Sequence, residues 1–176
     1  MDLADIRIRI AADEPELASA LADVLIDCVE GGASVSFMWP LPLPKAIAFW
    51  QSVIESARRS ERVLLVAEEV ASGAIVGTVQ VVFAIPENQP HRADVAKMLV
   101  HRRARRRGLG AALMRAAEAA ARTAGKTLLV LDTVTGGDAD RLYAHLGWQR
   151  CGEIPGYALF PHGGLCGPTY FFKPLT

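Results

Sequence analysis

The chain has 176 residues, 51% hydrophobic and 22% charged, with nineteen Lys and Arg against nineteen Asp and Glu. That length fills one domain and is short for two, so residues 1–176 are read as a single domain. Balanced charge excludes a globally basic nucleic-acid or membrane-surface binder, and no apolar run reaches the roughly 20 residues of a membrane span.

The alternation Ile6-Arg7-Ile8-Arg9-Ile10 predicts a half-buried strand. Asp13 is placed as the N-cap of a helix with Pro15 and Glu16 in its first turn, reaching about Cys28 and broken by Gly31-Gly32-Ala33. Residues 34–44, rich in large apolar side chains and proline, suit a loop packed over something. A second helix is expected from Pro44 to Arg59. Val63–Glu68 and Ala74–Phe83, separated by Ser72-Gly73, predict a β-hairpin. Arg92–Val100 is a further strand. Gly108–Ala124 is an alanine-rich helix stopped by Gly125. A buried strand at Thr127–Leu131, a short helix at Asp138–Leu146 and strands near Gln149–Glu153 and Thr169–Lys173 complete the chain. The order β-α-α-β-β-β-α-β-α-β-β describes an α/β protein with a mixed sheet and helices on its faces.

The N-terminus Met1-Asp2-Leu3-Ala4-Asp5 has neither the basic start nor the apolar core of a secretion signal, so a cytoplasmic location is expected. Cys28, Cys151 and Cys166 are odd in number and lack C-x-x-C spacing, which argues against disulfides or a zinc site. His91, His101, His145 and His162 likewise show no metal-ligand spacing, and no metal is expected.

The informative segment runs from Met98 to Ala112, where a strand enters an arginine- and glycine-bearing turn that opens into a long helix. The first N–H groups of a helix lack partners within it, and the macrodipole adds partial positive charge there. Gly108 and Gly110 let the backbone close around a phosphate. Two other phosphate motifs fail. No Lys-Ser or Lys-Thr follows Gly110, as a P-loop needs, and Leu113 stands where the dinucleotide fingerprint needs Gly or Ala.

What remains, Arg105-Arg106-Arg107-Gly108-Leu109-Gly110, resembles the R/Q-x-x-G-x-G/A acetyl-CoA signature of the GNAT acetyltransferase superfamily. Leu142-Tyr143-Ala144-His145-Leu146-Gly147-Trp148 is similar to that family's L-Y-x-x-x-G-F, with Trp148 in place of Phe. Arg102 stands where a proline is common and Arg106 where a glycine is common. Several further stretches resemble the tabtoxin-resistance acetyltransferases: residues 31–38, Leu131-Asp132-Thr133, Gly152–Tyr157, Gly164-Leu165 and Pro168–Lys173. The resemblance implies a mostly antiparallel sheet with helices on both faces and a splayed strand pair that takes acetyl-CoA. Met98, Leu99 and Val100 would offer main-chain hydrogen bonds to the pantetheine arm and the oxyanion donor. Arg105, Arg106, Arg107, Gly108, Leu109, Gly110 and Ala111 would hold the phosphates.

Acetyl transfer to an amine needs a neutral amine, a stabilised oxyanion and a protonated thiolate. The resemblance puts a carboxylate base at Asp94, six residues before Val100. Asp132, expected to close its strand, is the other candidate. One would act as base and the other grip the ammonium group. The bland reading is that either only caps a turn or pairs with an arginine. Tyr143 matches the family's tyrosine acid, against a core-packing role. Ser34, Phe37, Met38 and Tyr157 are the candidate acceptor-binding residues, with sealing of the core as the alternative role for Phe37 and Met38. Trp39 and Trp50 share that ambiguity, and Cys28 reads as core. The arginine cluster is ascribed to the CoA phosphates rather than to nucleic acid.

The function these residues imply is N-acetylation of a small-molecule amine, with an amino-acid-like toxin or antibiotic as one class of acceptor. Acetylation of a peptide or protein and a non-catalytic CoA-binding module are the alternatives. Pairing of two copies through a sheet edge or helix face is compatible with such a chain.

Overall fold

The computed structural model describes residues 3–12, 14–83 and 86–175. Strand β1 (Ile6–Ile10) is followed by helices α1 (Leu17–Glu30) and α2 (Leu43–Arg58), then strands β2 (Arg62–Glu69), β3 (Ile75–Val82) and β4 (Arg92–Val100). Helix α3 (Leu109–Thr123), β5 (Leu128–Val134), α4 (Asp138–His145) and β6 (Gln149–Glu153) come next. A small ribbon of β7 (Ala158–Leu159) and β8 (Leu165–Cys166) precedes β9 (Pro168–Pro174).

Seven strands form one sheet in the order β1-β2-β3-β4-β5-β9-β6. Every neighbouring pair is antiparallel except β4 and β5. Helices cover both faces, which is why β2 and β3 are nearly continuous apolar runs rather than alternating ones. Successive side chains of β2 feed opposite cores. Leu64 and Val66 pack with Leu21 and Leu25 of α1 and Trp50 and Val53 of α2. Leu65 and Ala67 pack with Leu113, Met114 and Ala117 of α3. Each fully buried aliphatic side chain contributes roughly 1.5–3 kcal/mol. Trp50 is 0% exposed and anchors the α2 side; its truncation to alanine would cost about 3–5 kcal/mol.

Helix α1 begins at Leu17, later than the capping pattern predicts. Pro15 and Glu16 form a turn ahead of it, and Glu16 at the cap makes no side-chain bond. The Asp13 cap itself lies outside the described residues. Helix α2 starts at Leu43 and accepts Pro44 in its first turn, where a missing N–H costs nothing. Strand β5 runs on to Val134, so Asp132 lies within it rather than at its end. The β7–β8 ribbon was not expected, because its two-residue strands carry no readable period.

The feature that positions the site is a fork in the sheet. β4 and β5 pair only at Arg92–Asp94 against Leu128–Val130, although β4 continues to Val100 and β5 to Val134. β4 changes register against β3 between Thr78 and Gln80, and Lys97 takes φ +49° there. Such a bulge bends its strand and increases local twist, which carries the end of β4 away from β5.

Candidate active site

Between β4 and α3 the chain makes a 3-10 turn at Arg102–Ala104, an extended residue at Arg105 and two left-handed residues, Arg106 (φ +61°) and Gly108 (φ +80°). Arg106 therefore adopts the conformation a glycine would take, at a cost of roughly 1–2 kcal/mol. Ala112 N–H is the first to bond back, to the Gly108 carbonyl at 3.0 Å. Among the described residues, the N–H groups of Gly108, Leu109, Gly110 and Ala111 have no acceptor within the protein. A Cβ on Gly108 would meet nothing within 4 Å, so the mouth of this turn is open. One on Gly110 would stand 3.1 Å from Leu142 Cδ2 and 3.7 Å from the Met98 sulfur, so α3 approaches α4 and β4 closely there. Unpartnered amides at a helix start, beside an open mouth, form a cradle for phosphate.

Several arginines ahead of the cradle also make contacts within the protein. Arg102 donates its backbone N–H to Asp27 Oδ2 at 2.7 Å and its Nε to Asp27 Oδ1 at 2.8 Å, and it also pairs with Glu30. Arg103 pairs with Glu69. Arg105 donates Nε to the Val100 carbonyl at 2.8 Å and approaches the Cys28 sulfur at 3.5 Å. Its guanidinium thus braces the end of β4. Arg106 reaches Asp138 at 3.4 Å across open solvent. Burial pushes the Cys28 thiol up while Arg105 opposes it, in keeping with a core cysteine.

Leu99 is buried in the α1–α2 core, and the Met98 and Val100 side chains pack on the α3 side. The backbone of residues 95–100 has no strand on its β5-facing edge. Asp94 sits at the closed end of the fork, opposite Val130, and pairs with Arg92 on its own strand. Asp132 lies two residues further along β5, opposite Tyr170 of β9, exposed and in no ion pair among the described residues. Tyr143 is buried on α4 against Trp148 and Phe171, with ring centroids 6.0 Å and 5.9 Å away. Its hydroxyl takes no hydrogen-bond partner among the described residues. Burial, with the Asp132 charge added, raises its pKa.

Four residues that the sequence reading passed over also face this region: Lys97, Ser36, Phe49 and Tyr170. Lys97 Nζ donates to Ser36 Oγ at 3.2 Å and lies 5.9 Å from the centre of the Phe49 ring. Burial pushes the Lys97 ammonium down while Asp132 opposes it. Burial raises Tyr170 as well, with Tyr157 and Asp132 adding to it. The available signal was Lys97 itself, a lone cation in the otherwise small and apolar run Val95-Ala96-Lys97-Met98-Leu99.

The four acceptor candidates divide. Phe37 packs edge-on to Phe49 at 5.2 Å, inside the same group. Tyr157, 62% exposed, reaches Tyr170. Ser34 instead donates to the Leu159 carbonyl at 3.1 Å and accepts from Cys166, which ties the 34–42 loop to the β7–β8 ribbon. Met38 is 47% exposed. Among the described residues no group of His, Cys, Asp and Glu could hold a metal ion, and no helix is long and apolar enough to cross a membrane.

The chain has the fold of several solved acetyltransferases. An N-acetyltransferase from Staphylococcus aureus Mu50 superposes with a TM-score of 0.80 at 18% identity, covering 97% of this chain and 99% of that one. A ribosomal-protein-alanine N-acetyltransferase from Brucella melitensis gives 0.78 at 23% identity, over 96% and 99%. A Salmonella typhimurium protein described as an acetyltransferase, solved with its cofactor acetyl-CoA, gives 0.75 at 19% identity, over 98% and 95%. The sequence pattern of one family matches residues 21–148, which span the fork, the cradle and α4. The chain belongs to the acetyltransferase (GNAT) family.

Proposed function

We propose that this protein is an acetyl-CoA-dependent N-acetyltransferase acting on the amine of a small molecule, with an amino-acid-like toxin or antibiotic as the favoured acceptor class. The observation that carries the reading is the run of unpartnered amides at Gly108–Ala111, set at the open end of the fork beside Asp132 and Tyr143. These residues fit acetyl-CoA: the amides suit its diphosphate, and the unpaired edge of β4 suits its amide-bearing arm. Bound there, acetyl-CoA supplies a thioester carbonyl that an amine can attack.

Asp132 takes the base role because it is exposed and, among the described residues, in no ion pair, whereas Asp94 is held by Arg92. Its carboxylate would draw the proton from the incoming ammonium, directly or through water. Tyr143 would donate its hydrogen bond to the departing sulfur. The raised pKa keeps that hydroxyl protonated throughout the neutral range, and among the described residues the hydroxyl has no competing partner. General acid–base groups of this kind contribute about 10²–10⁴-fold each. The oxyanion donor would be a main-chain N–H of Met98–Val100.

A small acceptor is favoured over a peptide because the 34–42 loop is tied to the segment around the β7–β8 ribbon, and that segment to the end of α1, rather than left open as a groove. Ser34 is tied to Leu159, Trp39 N–H bonds to the Pro161 carbonyl at 3.0 Å, and His162 reaches the Glu30 carbonyl at 2.9 Å. A tabtoxin-like acceptor rests only on the stretches quoted above.

Thiol release from acetyl-CoA against a panel of small amines, beside calorimetric titration of acetyl-CoA, tests the reading. Saturable release that is lost in Asp132→Asn while acetyl-CoA still binds is the expected result. Absence of acetyl-CoA binding would overturn it.

A further inference from the structure

We propose that Lys97 is the anion-binding residue of the acceptor pocket, so that the acceptor carries a carboxylate as well as the amine to be acetylated. This rests on the amine-acetylating reading above and adds to it the charge of the substrate.

The geometry of Lys97 is costly in three ways. Its backbone holds φ +49° at the bulge of β4, a conformation that L side chains with a Cβ avoid. Its ammonium has three N–H donors and, among the described residues, one hydrogen-bond acceptor, Ser36 Oγ at 3.2 Å, on a residue that is itself left-handed at φ +78°. Its remaining close neighbour is the Phe49 ring, with the nitrogen 5.9 Å from the centroid. A desolvated cation so poorly partnered is destabilising, and burial accordingly pushes its pKa down.

Structural lysines in the same molecule look different. Lys173 donates to Glu118 Oε1 at 2.7 Å and to the Leu146 carbonyl at 2.8 Å. Lys126 donates to the Pro90 carbonyl at 2.8 Å and stands over Phe83. Among the described residues Lys97 bonds to no carboxylate and no carbonyl.

Among the described residues the anion whose field reaches it is Asp132, and no ion pair joins the two. Among the described residues, β4 thus presents a cation in no ion pair and β5 a carboxylate in no ion pair, each within reach of the other's field. A molecule bearing both an amine and a carboxylate completes both at once. Its amine would lie at Asp132, where deprotonation is needed, and its carboxylate at Lys97. Strained backbone and unsatisfied polar groups of this kind persist where a ligand uses them.

The test compares free L-amino acids with the matching L-amino acid carboxamides, which differ only in the negative charge. Each pair is assayed by thiol release at saturating acetyl-CoA, and by calorimetric binding to the enzyme saturated with CoA. Wild type is expected to favour the acids. Lys97→Met keeps the aliphatic stem and should lower kcat/KM for the acids by about tenfold to a hundredfold, chiefly through KM, the loss expected for one charge-assisted hydrogen bond. The carboxamides should change by no more than about twofold, as expected where no such bond is lost. Lys97→Arg, which keeps the charge, should retain the preference for acids. Equal losses for acids and carboxamides would mean that Lys97 only positions Asp132, and would overturn the proposal. So would unchanged discrimination in Lys97→Met, or a wild type that prefers carboxamides. If amines of neither series react, the amine-acetylating reading fails first and this one with it.

Discussion

The carboxylate of Asp27 couples α1 to the turn that leads into the cradle, and replacing it with asparagine isolates that coupling. In the wild type the side chain is 11% exposed and accepts the Arg102 backbone N–H at 2.7 Å and its Nε at 2.8 Å, with His101 Nε2 at 3.6 Å. A hydrogen bond to a charged group is worth about 1.5–3 kcal/mol. Asparagine keeps one carbonyl acceptor but loses the charge, and its amide faces donors. The Arg102 guanidinium is half in water and adds little. The expected loss is therefore about 2 kcal/mol at neutral pH, most of it the bond to the backbone N–H. That corresponds to about 4–8 °C in Tm for a chain of this size.

The pH dependence follows from the same contacts. Burial pushes the Asp27 carboxyl up, but the Arg102 N–H and guanidinium bonds outweigh it and hold the group below the ordinary range. A carboxyl lowered in the folded state stabilises above its unfolded pKa of about 3.9, and that stability is lost as pH falls through the folded value. Urea denaturation of wild type and Asp27→Asn across the acid range should show a full gap near neutrality that closes below about pH 4. A gap that stays constant down through the acid range, or no gap at all, would refute a charge-based tie. Because the turn leads directly into the cradle, Asp27→Asn should also weaken acetyl-CoA binding severalfold without changing the chemical step.

Four further outcomes are expected. Tyr143→Phe should lower kcat by about 10²-fold or more while leaving the denaturation midpoint nearly unchanged, since the hydroxyl has no partner to lose among the described residues. Gly110→Val should raise the acetyl-CoA dissociation constant by about tenfold, read by calorimetry on protein with native circular dichroism, because even a Cβ stands 3.1 Å from Leu142 Cδ2. Gly167→Ala puts a Cβ 2.4 Å from the Ile154 carbonyl oxygen and should cost about 1–3 kcal/mol in urea. Lys97→Met should be more stable than wild type at neutral pH. The depressed ammonium penalises folding fully below its folded pKa and progressively less as pH rises toward the unfolded value of about 10.4, so the advantage should shrink with alkalinity.

The sheet and helices were legible where period and punctuation agree. Arg92–Val100 and Gln149–Glu153 match their predicted bounds, and α3 is one residue shorter at each end than Gly108–Ala124. The turn before α3 and the start of that helix could be read because they are local: glycines, a turn and a helix start are contiguous in the chain. The start of α1 could not be read well, because Pro15 and Glu16 serve a turn as readily as a helix. The fate of the arginines was hidden for another reason. Asp27, Glu30 and Glu69 lie 34 or more residues away from their partners, and nothing in the local pattern announces them. Lys97 was hidden because its meaning depends on a bulge, and on Ser36, 61 residues earlier, failing to satisfy it.

The fork has a mechanical consequence as well. Strands β1–β4 form one leaf and β5, β9 and β6 another, joined along the sheet only by Arg92–Asp94 against Leu128–Val130. A ligand that bonds the free edge of β4 and rests on α3 supplies rungs that the ladder itself lacks. Amide hydrogens near the open ends of β4 and β5 should therefore exchange readily in the empty protein. They should slow together when acetyl-CoA binds, as the two leaves become a single cooperative unit.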